Sequence, residues 1–313
     1  MRVLQRDRYM PEAFPRGRFI WHELMTTDPD SAVPFYKKVV GWNVQSWEPD
    51  PTYRLWTMGD SPMGGLMPLP EHAQRMGTPP YWLPYVAVPD VDATVRQATS
   101  LGARTYVEPR DIPVGRFAVL ADPQGATFAL YKPAVGQPPT SDDAGLADFS
   151  WHELATTNWR AAWDFYHALF GWEKTEAMDM GAAGIYQMYR RGGGGGGGPT
   201  LGGMYDKSAE MPAPPHWLCY VTVPSADKAA TTVKRLGGRV IYGPADVPGG
   251  GRIAQCLDPQ GAMFAVHATA AAPARSARKT TKANKTKASK RTKRTVKKAT
   301  AKARVSAKKK QRR

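Results

Sequence analysis

Hydrophobic and polar side chains alternate from Phe19 to Thr26 as they do in a half-buried strand, and Asp28-Pro29 follows as a helix cap with proline in the first turn. Ala32, Phe35, Tyr36, Val39 and Val40 recur at helical spacing behind it, and Gly41 supplies a left-handed stop. Pro34 breaks a local rule, because a helix that starts at Pro29 loses a hydrogen bond there. The pattern therefore predicts a late start near Ser31, or a bend. Strand-like runs at 44–47, 53–58 and 65–68 come next, separated by Pro, Asp and Gly. A variant of the same unit follows: a strand at 82–88, a helix at 91–101 closed by Gly102, and strands near 105–107, 116–120 and 127–131. Asp122-Pro123-Gln124-Gly125 reads as the turn between the last two. The first half of the chain is thus two βαβββ units in succession.

The whole plan then repeats. Phe19-Ile20-Trp21-His22-Glu23-Leu24-Met25-Thr26-Thr27-Asp28 returns about 130 residues later as Phe149-Ser150-Trp151-His152-Glu153-Leu154-Ala155-Thr156-Thr157-Asn158. Ala162, Phe165, Tyr166, Leu169 and Phe170 repeat the helix face, with Gly171 as its stop and a strand at 185–189. Leu236-Gly237 answers Leu101-Gly102, and Asp258-Pro259-Gln260-Gly261-Ala262 answers Asp122 to Ala126. The predicted organisation is an N-terminal arm (1–18), a first domain (19–133), a linker rich in Pro, Gly, Ser and Asp (134–148), a second domain (149–268) and a tail (269–313). Seven consecutive glycines, Gly192 to Gly198, lengthen one hairpin loop; neither a helix nor Lys-Ser or Lys-Thr follows, so they are no phosphate cradle.

Charge divides the molecule. Of 43 Lys and Arg, 19 fall in residues 275–313, which contain no acid, leaving 24 basic against 27 acidic side chains elsewhere. The body is mildly acidic and the tail alone makes the protein basic, so an argument about a polyanionic partner belongs to the tail. The chain has no apolar run near membrane-spanning length, and charges occupy the start where a signal peptide needs an apolar stretch. A cytoplasmic protein with no membrane partner is expected. Cys219 and Cys256 lie in apolar stretches of the second copy, opposite Pro84 and Leu120 of the first, and read as buried free thiols.

Trp-His-Glu-Leu-x-Thr-Thr-Asp, then Phe-Tyr and Gly-Trp, then Gly-Arg-x-Ala and Asp-Pro-Gln-Gly-Ala resemble the vicinal oxygen chelate superfamily, which includes glyoxalase I, extradiol dioxygenases and bleomycin-resistance proteins. The resemblance covers residues 19–133 and 149–268 and implies an α+β fold: tandem domains, each of two βαβββ modules forming a curved, cup-shaped sheet around a small molecule. For metal-using members it also implies three ligand positions, which align here with Trp21, Trp82 and Ala129 and with Trp151, Trp217 and Ala265. Indole is a donor only and alanine has no donor atom, so no metal and no other cofactor is expected.

Alternation places Glu23 on the face of Trp21, and Glu153 on that of Trp151, while His22 and His152 point the other way, toward the packed helix. A carboxylate in an aromatic cup has its pKa raised and can serve as acid or base, which makes Glu23 and Glu153 the candidate catalytic residues. The competing expectation is an ion pair with Arg54, Arg116 or Arg252, which would otherwise contribute to ligand binding. Trp21, Trp82, Trp151 and Trp217 are candidates for stacking a planar ligand, or they fill the place of a metal site. His72, His167, His216 and His267 recur at no matching position in the other copy.

The tail resembles, in composition, the Lys- and Ala-rich tails of histone H1-like proteins. Lys279, Lys282, Lys285, Lys287, Lys290, Arg291, Lys293, Arg294, Lys297 and Lys298 are candidates for non-specific nucleic-acid binding through counterion release, with nucleoid association as the consequence. Three functions stay open: a binding protein for an unidentified small molecule, a metal-independent lyase, isomerase or hydrolase, and a nucleic-acid-associated factor with a metabolite-sensing body. Four βαβββ units in one chain permit a monomer with two complete cups, or a homodimer.

Overall fold

Alternation in β1 (Phe19–Thr26) sends Trp21, Glu23 and Met25 to one surface and His22 and Leu24 to the other, and this division sets the layers of the molecule. The computed structural model describes residues 16–134, 144–192 and 198–269. All belong to the chain's first structural unit, residues 1–270. Most of the expected arm and linker, the middle of the glycine run and the basic tail lie outside the described residues.

After β1 come α1 (Pro29–Val39), β2 (Asn43–Trp47), β3 (Asp50–Met58), β4 (Ser61–Pro68), the short α2 (Glu71–Arg75), β5 (Tyr81–Ala87), α3 (Val91–Ser100), β6 (Arg104–Ile112), β7 (Gly115–Ala121) and β8 (Thr127–Pro133). The second copy supplies β9 (Phe149–Thr156), α4 (Trp159–Phe170), β10 (Glu173–Asp179), β11 (Ile185–Arg190), β12 (Thr200–Asp206), β13 (His216–Thr222), α5 (Ala226–Arg235), β14 (Arg239–Val247), β15 (Gly251–Leu257) and β16 (Met263–Ala268). Each copy builds one eight-stranded sheet, in the orders β2-β3-β4-β1-β5-β8-β7-β6 and β10-β11-β12-β9-β13-β16-β15-β14. β1 pairs parallel with β4 and antiparallel with β5, so consecutive βαβββ units join at the middle of one sheet. The sheets curl into half-barrels, as tandem βαβββ domains require.

The Asp28 carboxylate accepts from the backbone N–H of Ser31 at 3.0 Å and caps α1, which begins at Pro29 despite Pro34. Pro34 sits on the exposed side of the helix, where water can serve the carbonyl it leaves without a partner. The late start near Ser31 is therefore not seen. Asn158 caps α4 in the same way, and Gly171 closes it in the left-handed conformation (φ 68°).

Helices lie between the two sheets, α1 against α5 and α3 against α4, so the convex faces are back to back and the core is shared between the copies. Tyr36 of α1 donates its hydroxyl to Asp258 of the second copy (3.1 Å), and Tyr166 of α4 donates to Asp122 of the first (3.0 Å). Each Asp-Pro-Gln-Gly turn is therefore also a clamp: Asp122 accepts from the backbone N–H groups of Gln124 and Ala126, and Asp258 from those of Gln260 and Ala262. Between the sheets the Nε2 atoms of His22 and His152 lie 2.7 Å apart, with Phe149 stacked on the first ring and Phe19 on the second. His152 donates Nδ1–H to the Leu201 carbonyl (3.3 Å), so its Nε2 accepts from His22. Cys219 brings its thiol within 4.8 Å of the pair, and both cysteines are free and buried.

Candidate functional site

Glu23 and Glu153 occupy the concave floor of their sheets, each next to a glycine of the neighbouring parallel strand, Gly65 and Gly203. A Cβ at Gly65 would collide with Tyr53, and one at Gly203 with Tyr186, so these two glycines clear the space that the tyrosines occupy over the sheet. The result is one network built twice. In the first cup the Trp21 indole donates to the Tyr53 hydroxyl (3.0 Å), Tyr53 serves Glu23, and Tyr85 donates to Glu23 Oε2 (2.7 Å). In the second, Trp151 donates to Tyr186 (2.8 Å), and Tyr186 and Tyr220 both donate to Glu153 Oε2 (3.0 and 3.1 Å). Gln255 adds a donor to Glu153 Oε1 (3.1 Å) and another contact to the Tyr220 oxygen (2.9 Å).

Both carboxyls are buried, and burial raises their pKa values against the opposing pull of these hydrogen bonds, Glu153 to about 7. For Glu23 the charge of Arg110 also opposes the rise. A carboxyl that titrates near neutrality beneath an aromatic wall can give or take a proton at physiological pH. Partly exposed Trp21, Tyr81, Phe117 and Tyr131 form that wall in the first cup, and Trp151, Ile253 and Met263 in the second.

The four tryptophans part company. Trp21 and Trp151 lie on the cup faces, whereas Trp82 and Trp217 are turned into the core between the sheets, where their indoles donate to Tyr36 (3.0 Å) and Tyr166 (3.1 Å). The register explains the correction. Trp82 pairs with Leu24, an inward residue, and the residue across from Trp21 is Tyr85. Tyr85 in turn faces Ala129 across β8, and Tyr220 stands between Trp151 and Ala265 in the second sheet. The row aligned with the metal-ligand positions is therefore indole, phenol and methyl, and its phenol already donates to the glutamate. These residues do not fit a divalent-ion centre.

The arginines also move away from the site. Arg54 pairs with Asp30 (2.6 Å), Arg116 with Asp92 (2.7 Å) and Asp111 (3.0 Å), and Arg252 with Asp227 (2.8 Å) and Asp246 (2.7 Å). They tie strands to helices on the convex side, and none meets Glu23 or Glu153. The lysines and arginines from Lys279 to Lys298 lie outside the described residues. Tyr53, Tyr85, Tyr186, Tyr220 and Gln255 were not singled out by sequence reasoning. The repeat did carry a signal for two of them, since Trp-Leu-Pro-Tyr-Val at 82–86 returns as Trp-Leu-Cys-Tyr-Val at 217–221.

The model of the Glyoxalase-like domain family matches residues 21–131, and that of the Glyoxalase/Bleomycin resistance protein/Dioxygenase superfamily matches residues 149–266. CFP32 of Mycobacterium tuberculosis, provisionally named a glyoxylase, is 33% identical over 261 residues, covering 81% of this chain and 95% of that protein. The anthracycline biosynthesis protein DnrV of Streptomyces peucetius is 29% identical over 269 residues, covering 81% and 94% respectively. The Mn(II)-bound glyoxalase from Novosphingobium aromaticivorans superposes with a TM-score of 0.55 at 14% identity over 82% of each chain, a likeness of fold.

Proposed function

Because this chain belongs to the Glyoxalase/Bleomycin resistance protein/Dioxygenase superfamily, we propose that each of its cups binds a small molecule over a glutamate, and that Glu153 exchanges a proton with the bound molecule without a metal ion. The observation that carries this reading is the carboxyl of Glu153, buried at the cup floor, held by three uncharged donors and titrating at about 7. Desolvation keeps the proton available, and the phenols fix which oxygen faces them. The names of the relatives, a glyoxylase and an anthracycline biosynthesis protein, support a small and in one case polycyclic ligand. The chemistry is of the lyase or isomerase kind, in which a proton moves between carbon and oxygen; Glu23 is the matching group in the first cup. The test is calorimetric titration of ligands found by a thermal-shift screen, in buffers of different ionisation enthalpy. Proton uptake or release should accompany binding and disappear in Glu153→Gln; unchanged proton linkage in a Glu23→Gln/Glu153→Gln double variant refutes the role.

The tail supports a second reading: 19 basic residues without an acid in 275–313 bind nucleic acid through phosphate contacts, without base readout. If about six to ten phosphates are contacted, affinity falls roughly 10³- to 10⁵-fold between about 50 and 200 mM salt. A chain ending at Ala268 should lose DNA binding and keep its melting temperature; retained binding refutes the role of the tail.

A further inference from the structure

The two cups share their glutamate network but differ in what surrounds it. Arg110 faces Phe117 across the β6–β7 pair and holds its guanidinium 5.0 Å from the centre of that ring, on the cup wall, close enough for its charge to act on Glu23. In the second cup the corresponding pair is Ala245 and Ile253. Val119, which faces Ala129 in the first cup, is matched by Gln255 facing Ala265 in the second, and only the glutamine can hydrogen-bond. Lys207 stands near the second cup beside His216, but its ammonium is taken up by the carbonyls of Met211 (3.1 Å) and Ser208 (3.4 Å). Cation, aromatic face and buried carboxyl thus coincide in the first cup. Glu153 has only phenols and an amide as hydrogen-bonding neighbours.

Building on the reading that the cups bind small molecules, we propose that they are not equivalent: the first selects a planar aromatic anion, and the second an uncharged ligand that hydrogen-bonds. In the first cup the anionic group meets the guanidinium of Arg110 while the ring lies against Phe117 and Trp21, a charge-assisted contact on a surface that already stacks a cation. Burial raises the pKa of the Glu23 carboxyl against the pull of the tyrosines and Arg110, which lessens the repulsion a neighbouring anion meets. Among the described residues Ala245 stands at the second cup's wall where Arg110 stands in the first, and Gln255 with the Glu153 carboxyl offers hydrogen-bonding groups to a carbonyl or hydroxyl.

The probes are 2-naphthoate and its uncharged counterpart 2-naphthamide, titrated by calorimetry into the full-length protein at about 0.15 M salt, where weak attraction to the tail is screened. Wild type should bind naphthoate at one site per chain, and Arg110→Gln should weaken it at least tenfold while leaving the naphthamide affinity and the melting temperature unchanged. Gln255→Val should do the reverse, weakening naphthamide alone. Arg110 is exposed, so its replacement does not threaten folding. Naphthoate binding equally well to Arg110→Gln overturns the charge selection and leaves the small-molecule reading intact, whereas failure of both probes to bind wild type at millimolar concentration overturns both.

Discussion

Glu153→Gln should change the way stability depends on pH, and the size of the change follows from the burial of one carboxyl. In the unfolded chain Glu153 titrates at the ordinary 4.5; in the native cup burial lifts it to about 7 against three hydrogen bonds. Between those values the native protein holds a proton that the unfolded chain has released. Its contribution is fully present below about pH 4.5 and is lost as pH rises through about 7, and the gap is worth about 3 kcal/mol. The substitution has a cost of its own: a glutamine cannot accept from Tyr186, Tyr220 and Gln255 all at once, and one displaced hydrogen bond costs about 1 kcal/mol. That cost does not vary with pH, so the slope is diagnostic and the level is not. Urea unfolding at a series of pH values from about 4.5 to 8, on wild type and variant, gives a difference curve in which the other titrating groups cancel. The variant should gain about 3 kcal/mol relative to wild type across that range. A flat difference curve refutes the claim that desolvation dominates this carboxyl.

The histidine pair acts with the opposite sign: burial holds His22 far below the ordinary 6.5 and His152 at about 3, so the native state stays neutral while the unfolded chain takes up protons, and stability falls as pH drops below about 6.5. A His22→Leu/His152→Leu variant should lose that acid sensitivity in the same urea series, and an unchanged slope would count against the neutral pair. Tyr36→Phe leaves the Asp258 carboxylate and the Trp82 indole short of a buried partner and should cost about 1–3 kcal/mol in denaturant unfolding, whereas Tyr106→Phe, at an exposed position, should cost nothing measurable. Gly203→Ala drives a Cβ into Tyr186 and should break its bond to Glu153, raising the carboxyl pKa above its native value of about 7 in an isotope-edited infrared titration; Gly198→Ala, with open space around it, is the control.

Much of this architecture was legible because strands and helices write their periods into the chain. Alternation at Trp21, His22 and Glu23 gave the facing of β1 correctly, and the repeat gave two domains of one fold. What failed was pairing across strands. Trp82 and Trp217 were placed in the cups by aligning strand starts, but in a sheet a shift of one residue moves a side chain to the other face, and only the ladder sets the register. The partners of the glutamates were missed for a related reason. Arginine is the obvious neighbour for a carboxylate in a sequence, yet a desolvated carboxyl whose pKa is raised by burial is served as well by phenols, and Tyr53 reaches Glu23 only because Gly65 lacks a side chain.

The back-to-back arrangement gives a physical reason for two cups in one chain. The His22–His152 contact, the Tyr36–Asp258 and Tyr166–Asp122 clamps and the inward Trp82 and Trp217 join the copies and lie on the convex side of the sheets. The differences between the cups on which ligand choice rests, Arg110 against Ala245, Phe117 against Ile253 and Val119 against Gln255, lie on the concave side. Period-two alternation lets one strand carry both sets without conflict, because neighbouring residues answer to different surfaces. Substitutions in a cup therefore leave the shared core untouched, and the glutamate network can be retained in both copies while the walls around it take different ligands.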